Sequence, residues 1–224
     1  MKKISAARPL LIGALALCAS VLPAASTWYV SPAGSDLLGT GTSLSPFKTV
    51  QKGVDKALDG DTVLVEPGTY SSGYTTPTTT SGKARVAITR NILVRSTQGA
   101  ERTLIVGQPN TSTLPFGAGS VRCVYMTAGV LDGFTLANGF ADASSPPSDK
   151  DYPMINGGGV FVPVGSRAPQ VNNCIITQCA AYRGGGAYWG TLNNCTVVSN
   201  YAFTTSGDGV CGSLVRNSIV TDNG

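Results

Sequence analysis

The sequence predicts an all-β solenoid, in which short strands from successive coils pair in parallel. Two phrases recur in the same order along residues 156–224. The first reads GGGVF at 157–161, GGGAY at 184–188 and GDGVC at 207–211, and the second reads VNNCII at 171–176, LNNCTV at 192–197 and VRNSIV at 215–220. The second phrases begin 21 and then 23 residues apart. A period of about twenty residues with short strand-forming phrases is typical of solenoids.

Equivalent positions of the second phrase indicate how each coil bends. Two columns are apolar and a third is small: Val171/Leu192/Val215, Ile176/Val197/Val220 and Cys174/Cys195/Ser218. A strand alternates its faces with period two, yet positions 171 and 174 are three apart and both should face inward. The chain must therefore bend at Asn173, Asn194 and Asn217, because asparagine tolerates left-handed backbone angles. Stacked about 4.8 Å apart, these amides can form a hydrogen-bonded ladder, and the crossover rule favours a right-handed winding.

The glycine triplets are interpreted as tight backbone corners that lead into a strand. A phosphate-binding loop is the alternative, but no helix pattern follows the triplets and no GK[ST] motif is present. The corner interpretation fits every occurrence of the repeat.

Together with four N-terminal motifs, these phrases resemble right-handed parallel β-helix proteins of the pectin-lyase-like superfamily. The motifs are WYVSP at 28–32, GSD at 34–36, SPFKTVQ at 45–51 and GDTV at 60–63, which resemble the usual N-terminal module of bacterial secreted and surface β-helix proteins. The resemblance implies the fold over nearly all of the chain after residue 26. It does not fix an activity, because lyases, hydrolases, epimerases and adhesins share this scaffold.

The N-terminus has the pattern of a secretory signal peptide, with cleavage expected after Ser26. Basic residues precede an apolar run at 10–22, and small residues follow it. The run is short for a membrane span, and Leu17 before Cys18 is bulky for a lipoprotein signal. Removing residues 1–26 reduces the net charge from +4 to +1, because Lys2, Lys3 and Arg8 are lost. We therefore expect a secreted or cell-surface protein that is not a nucleic-acid binder.

A cap segment is predicted at 27–60, followed by coils over 61–224 that are incomplete at the C-terminal end. Residues 49–58 have apolar side chains at helical spacing on one side, namely Val50, Val54, Ala57 and Leu58. A helix here would cover the first coil, because a solenoid exposes its core at each end. Residues 139–155 form a long insertion before the first glycine triplet, and such loops are typically functional.

Histidine is absent from the sequence, which excludes Ser-His-Asp and Cys-His catalysis and the usual zinc sites. Five cysteines follow the predicted signal peptide: Cys123, Cys174, Cys179, Cys195 and Cys211. Stacked Cys174 and Cys195 would stand one strand spacing apart, which is wide for a disulfide. A column of buried thiols is therefore predicted.

The segments before the three glycine phrases occupy the same place in the repeat and should emerge on one side of the solenoid. They gather a set of charged and aromatic side chains: Asp149, Lys150, Asp151, Tyr152, Tyr182, Arg183, Tyr201, Phe203 and Asp208. Asp149, Asp151 and Asp208 are candidate Ca²⁺ ligands, because calcium prefers oxygen. Lys150 and Arg183 are candidate catalytic bases, and Tyr152, Tyr182, Arg183 and Tyr201 are candidate carbohydrate contacts.

Two functions remain open. The first is a non-catalytic surface module, adhesin-like or carbohydrate-binding, whose partner is a polysaccharide or cell-surface glycan. The second is a polysaccharide-lyase-like enzyme that acts on an acidic polysaccharide by β-elimination. The alternative to both is that these loops are polar corners of a structural solenoid and bind no ligand. The open C-terminal coil additionally predicts self-association, because unpaired strand edges invite pairing.

Overall fold

The structure is a computed structural model that describes residues 24–110, 117, 119–142, 153–166, 168–204 and 207–224. Its elements, in chain order, are β1 (Thr27–Val30), α1 (Val50–Lys56), β2 (Thr62–Val65), β3 (Gly68–Tyr70), β4 (Lys83–Ile88), β5 (Leu93–Ser96), β6 (Thr103–Val106), β7 (Val121–Met126), β8 (Val130–Asp132), β9 (Thr135–Ala137), β10 (Val160–Phe161), β11 (Gln170–Asn172), β12 (Ile175–Thr177), β13 (Ala180–Ala181), β14 (Ala187–Tyr188), β15 (Thr191–Asn193), β16 (Thr196–Val198), β17 (Tyr201–Ala202), β18 (Val210–Cys211), β19 (Leu214–Arg216) and β20 (Ile219–Thr221). The predicted signal peptide lies largely outside the described residues.

Three parallel sheets wrap one core. Sheet 1 has the order β1-β2-β5-β8-β11-β15-β19, sheet 2 has β3-β6-β9-β12-β16-β20, and sheet 3 has β4-β7-β10-β14-β18. Each successive coil adds one strand to each sheet, and the pairings between these strands are parallel throughout the described chain. A short fourth pair, β13-β17, lies between sheets 2 and 3. The predicted parallel β-helix is confirmed.

The register of the coils follows the apolar columns of the repeat. Val171 pairs with Leu192, which pairs with Val215, and the column of Ile176, Val197 and Val220 is likewise in register. Except at the last coil, these side chains are buried in one hydrophobic core with the valines and isoleucines of earlier coils. A one-residue slip would turn each column outward, so burial of the inner face fixes the register.

The asparagine bends are present between sheets 1 and 2. Asn173, Asn194 and Asn217 have φ of 53°, 54° and 46°. Nδ2 of Asn194 donates to Oδ1 of Asn173 at 2.7 Å, but Nδ2 of Asn217 donates to Oδ1 of Asn193 at 3.1 Å instead of continuing the column. In the preceding coil, Asp132 pairs with Asn172, and its Oδ1 accepts from Nδ2 of Asn173 at 2.6 Å.

A second left-handed bend, which the repeat did not predict, lies between sheets 2 and 3. Asn138, Gln178, Ser199 and Asp222 occupy it with φ of 52°, 54°, 57° and 49°. These four side chains differ in type, so no repeated letter marks the bend. Inside it, Oδ1 of Asn200 accepts from the backbone N–H of Cys179 at 3.0 Å, which links neighbouring coils.

The glycine triplets form the predicted corners. Gly157, Gly184 and Gly207 have φ of 65°, 58° and 74°, a region that side chains rarely adopt. A Cβ on Gly185 would lie 2.1 Å from the carbonyl oxygen of Tyr201 in the next coil. Glycine is therefore required at these places for conformation and for close approach of the backbone.

Helix α1 packs on the first coil but is shorter than expected. Oγ1 of Thr49 accepts from the N–H of Lys52 at 3.3 Å, and the helix ends at Lys56 because Ala57 is extended. Leu58, expected on the buried side, is 60% exposed for this reason. Oε1 of Gln51 accepts from the N–H of Ala87 at 2.7 Å, so the helix satisfies a donor on the outermost strand of sheet 3.

Asp61, from the GDTV motif, ties the N-terminal segment to the first coil. Its carboxylate accepts hydrogen bonds from the backbone N–H groups of Ser26 and Leu58 at 2.7 and 2.9 Å, and from Nε1 of Trp28 at 3.0 Å. Burial alone would raise the pKa of Asp61, but these donors favour the carboxylate and hold its pKa below the usual value. The motif is therefore structural.

Cys123, Cys174, Cys179, Cys195 and Cys211 are all free thiols, and only Cys211 is partly exposed. The buried thiols predicted at Cys174 and Cys195 are confirmed. Cys195 stands between Cys174 and Ser218, and its N–H donates to Oγ of Ser218 at 2.9 Å. Burial raises the pKa of Cys123, Cys174 and Cys195. These thiols stay protonated and unreactive in the folded chain.

Candidate functional site

The corner between sheets 2 and 3 is built on the small pair β13-β17. Ala180 pairs with Tyr201, and Ala181 pairs with Ala202. Ala181 and Ala202 are buried, whereas Tyr201 and Phe203 are 48% and 43% exposed. The two exposed rings meet edge to face, with centroids 5.3 Å apart and planes at 83°. Alternation along the strand thus presents two aromatic rings to solvent while small residues pack beneath them.

Tyr182 continues the neighbouring coil alongside these rings. The N–H of Phe203 donates to the carbonyl of Ala181 at 3.1 Å, and Oγ1 of Thr204 donates to the carbonyl of Tyr182 at 2.9 Å. The half-buried Tyr182 in turn donates its N–H to the carbonyl of Ile155 at 2.8 Å. Three successive coil segments are therefore fastened together beneath the aromatic residues, which makes this surface rigid.

Arg183 and Asp208 flank the same corner: Arg183 directly precedes the second glycine phrase, and Asp208 is the middle residue of the third. The carbonyl of Arg183 accepts from the N–H of Gly157 at 3.1 Å, and that of Asp208 accepts from the N–H of Gly186 at 3.2 Å. Oδ1 of Asp208 also accepts from the N–H of Ala202 at 2.7 Å. One oxygen of this carboxylate therefore closes its own loop onto β17.

The remaining predicted site residues, Asp149, Lys150, Asp151 and Tyr152, lie outside the described residues. Of the sequence candidates, the structure brings Tyr182, Arg183, Tyr201 and Asp208 to one corner. Within the described ranges, no group of three or more acidic or cysteine side chains is placed to hold a metal ion. Of the three candidate calcium ligands, Asp208 is the one within the described residues. Its Oδ1 accepts from the N–H of Ala202, which leaves its second carboxylate oxygen for a ligand.

A buried aromatic stack lies behind the corner on the outward side of sheet 3. The rings of Tyr125, Phe161 and Tyr188 stack in register, with both centroid separations at 5.7 Å. All three are at most 6% exposed. The sequence signal for this stack is the aromatic residue that ends both GGGVF and GGGAY.

Arg122 lies over this stack and anchors the C-terminal end of the insertion. Its guanidinium carbon is 4.8 Å from the ring centroid of Phe161, and Nη2 donates to the carbonyls of Pro153 and Met154 at 2.9 and 3.0 Å. Burial lowers the pKa of Arg122 to about 9. Nε and Nη1 have no hydrogen-bond partner among the residues that the structure describes. The segment at 153–154 is therefore held over the aromatic stack by a charged side chain.

Comparison with known proteins places the fold. No protein-family model matches the chain, and no curated protein does. The chain is similar to the crystal structure of a pectate lyase, Pel9A, with a TM-score of 0.54 and 19% identity over 86% of this chain and 47% of that one. A rhamnogalacturonan lyase (TM-score 0.44, 14% identity, 86% of this chain and 51% of that one) and a pectin methylesterase in complex with a hexasaccharide (0.45, 16%, 84% and 66%) also match.

The likeness to the pectate lyase supports the fold. The chain is a parallel β-helix, as the resemblance of its motifs implied, and it spans about half the length of that lyase. At this level of identity the likeness establishes the fold alone. In the described part of the chain, no helix is both long and apolar enough to cross a membrane.

Proposed function

We propose that the chain is a secreted or cell-surface β-helix module that binds carbohydrate without catalysis, at the corner formed by Tyr182, Arg183, Tyr201 and Phe203. The observation that carries the proposal is the exposed edge-to-face pair of Tyr201 and Phe203. Exposed aromatic clusters are uncommon on soluble proteins unless they bind something. A pyranose ring offers an apolar C–H face to an aromatic ring and hydroxyl groups to a polar rim.

The rigidity of the corner supports binding. The two rings stand on paired strands, and Asp208 closes the following loop onto Ala202. A surface that is ordered before the ligand arrives loses little conformational entropy on binding. The guanidinium of Arg183 supplies donors for sugar hydroxyl or carboxylate groups beside the rings.

The lyase alternative requires a base that removes the proton α to the uronate carboxylate and a positive charge that stabilises the enolate left behind. Arg183 or Lys150 would be that base, and calcium held by Asp149, Asp151 and Asp208 would neutralise the uronate carboxylate. The contact between Asp208 and Ala202 favours the non-catalytic function, because it commits one oxygen of that carboxylate to the loop. Calcium that binds only the native chain would raise its melting temperature.

The test is calorimetric titration with polygalacturonate, alginate and neutral dextran, using the wild type and Tyr201→Ala. An aromatic contact contributes about 0.5–1.5 kcal/mol, so Tyr201→Ala should weaken binding roughly two- to tenfold. Tyr74→Ala is the matched control, because it removes another tyrosine, 58% exposed, from a loop of the first coil. Equal affinity of Tyr201→Ala and wild type would refute the proposed site.

The same incubations separate binding from catalysis. Release of an unsaturated uronide, detected by its ultraviolet absorbance, would establish β-elimination and replace the non-catalytic proposal. Arg183→Ala should weaken binding of the acidic polymers more than that of dextran. Added salt should reduce this difference, because it screens attraction between exposed charges.

A further inference from the structure

A trough lies on the outward face of sheet 1, on a different side of the solenoid from the corner. It consists of two cavities of about 340 and 450 Å³ that meet at Gln170. The first is lined by Gly60, Asp61, Asn91, Ile92, Leu93, Gly129, Val130, Ala168 and Gln170. The second is lined by Gln170, Thr191, Asn193, Leu214, Arg216 and Asn217.

The trough follows the long axis of the solenoid. Its outward side chains form the row Leu93, Val130, Gln170, Thr191 and Leu214, in which each residue is in register with the next. From β2 to β19 the sheet advances five strand spacings, or about 24 Å at the usual separation of strands. This length suits an extended polymer. Such a chain would cross the strands and meet side chains, because the backbone groups of these strands are already paired within the sheet.

The charges beside the trough favour an anionic occupant. A second row in register contains Arg95, Asp132, Asn172, Asn193 and Arg216. Both oxygens of Asp132 are occupied, one by Nε of Arg95 at 2.7 Å and the other by Nδ2 of Asn173 at 2.6 Å. Arg95 remains 53% exposed at its side chain, and Arg216 is exposed in the second cavity. Two guanidinium groups therefore face solvent beside the neutralised carboxylate of Asp132, while the carboxylate of Asp61, which lines the first cavity, is buried and accepts hydrogen bonds from three donors.

We propose that this trough binds an extended acidic polysaccharide as a second site, independent of the corner. Arg216 attracts carboxylate or sulfate groups, and the amides of Gln170 and Asn193 hydrogen-bond to hydroxyl groups of the chain. The polar lining of the second cavity favours a polysaccharide over an acidic peptide, because hydroxyl groups along a glycan match the amide and hydroxyl side chains of Gln170, Thr191, Asn193 and Asn217.

The decisive variants are Arg216→Gln and Gln170→Glu, with Arg102→Gln as the matched control. Arg216 and Arg102 are both exposed, and Arg102 lies at the start of β6, outside both cavities. Gln170→Glu keeps the size of the side chain and places a negative charge where the two cavities meet. Unchanged melting temperatures would establish that each variant folds.

Binding is measured by calorimetry at low and high salt with alginate, heparin, dextran and poly-L-glutamate. Arg216→Gln should weaken binding of an acidic polysaccharide about two- to fivefold, Gln170→Glu should weaken it at least as much, and Arg102→Gln should leave it unchanged. Alginate and heparin distinguish carboxylate from sulfate as the bound group.

Three results would overturn the proposal: no binding of alginate or heparin, equal weakening by Arg216→Gln and Arg102→Gln, or equal affinity for poly-L-glutamate. Tyr201→Ala separates the trough from the corner. If the trough is a second site, the loss caused by Arg216→Gln persists in a Tyr201→Ala background. If Tyr201→Ala does not weaken binding, so that the corner is not a site, the effect of Arg216→Gln still tests the trough alone.

Discussion

Asn194 provides a direct measurement of how much the asparagine column stabilises the coils. Its φ is 54°, and its Nδ2 donates to Oδ1 of Asn173 at 2.7 Å. Asn194→Ala removes this hydrogen bond, which contributes about 1 kcal/mol. It also places alanine in the left-handed region at a cost of roughly 1–2 kcal/mol. We therefore expect the free energy of unfolding to fall by about 2–3 kcal/mol, which for a chain of this size lowers the melting temperature by roughly 4–12 °C.

Asn194→Gly separates the two contributions. Glycine adopts the left-handed conformation without a Cβ clash, but it loses the hydrogen bond and gains freedom in the unfolded chain, worth about 0.5–1 kcal/mol. The loss should therefore be smaller than with alanine. Asn172→Ala is the control, because Asn172 lies in strand β11 and its Oδ1 has no partner among the described residues. Thermal unfolding followed by circular dichroism would refute the reasoning if glycine and alanine at 194 were equally harmful.

The buried thiols, the glycine corner and the exposed Ile219 give three further predictions. Burial raises the pKa of Cys174 above its ordinary value of 9.0. The contribution of this protonated thiol to the free energy of unfolding is therefore complete below about pH 9 and is lost as the pH rises further. In denaturant titrations above that pH, the free energy of unfolding should fall less steeply with pH for Cys174→Ser than for the wild type. Identical dependence on pH in the two proteins would contradict this. Gly185→Ala should lower the melting temperature more than Gly73→Ala. A Cβ at position 185 would lie 2.1 Å from the carbonyl oxygen of Tyr201, whereas a Cβ at position 73 would meet nothing within 4 Å. Ile219, 61% exposed on the last coil, should promote self-association, so light scattering should show smaller species for Ile219→Lys.

The fold was predictable from the sequence wherever a residue type repeats in register. The apolar side chain at 171 and the asparagine at 173 recur at 192 and 194, because the first position is buried in each coil and the second forms a left-handed bend. The second bend was missed because Asn138, Gln178, Ser199 and Asp222 meet the same backbone demand with different side chains. A repeated residue type therefore reveals a bend only where its side chain also hydrogen-bonds to the equivalent residue in the next coil.

The ends of elements were predicted less well, for a local reason. The apolar spacing that placed Leu58 on the inner face of the helix assumed that the helix continued past Ala57. The chain leaves the helix at Ala57, and the backbone N–H of Leu58 is taken by the carboxylate of Asp61. A hydrogen bond from a residue outside the helix therefore determined where the helix ends. Hydrophobic periodicity does not predict such a contact.

The candidate sites follow from the alternation of the strands. Ala181 and Ala202 are paired, buried and both small, whereas Ala180 and Tyr201 are paired but differ completely in size: Ala180 is buried and Tyr201 is 48% exposed. An inward side chain must fit its neighbours in the adjacent coils, so its size is constrained by packing. An outward side chain meets solvent or a ligand, and its identity can change without disturbing the coil. Substitutions at Tyr201 should therefore alter binding while leaving the melting temperature nearly unchanged, and the reverse should hold for Ala181 beneath it. A large fall in the melting temperature of Tyr201→Ala would show instead that the exposed rings hold the corner together.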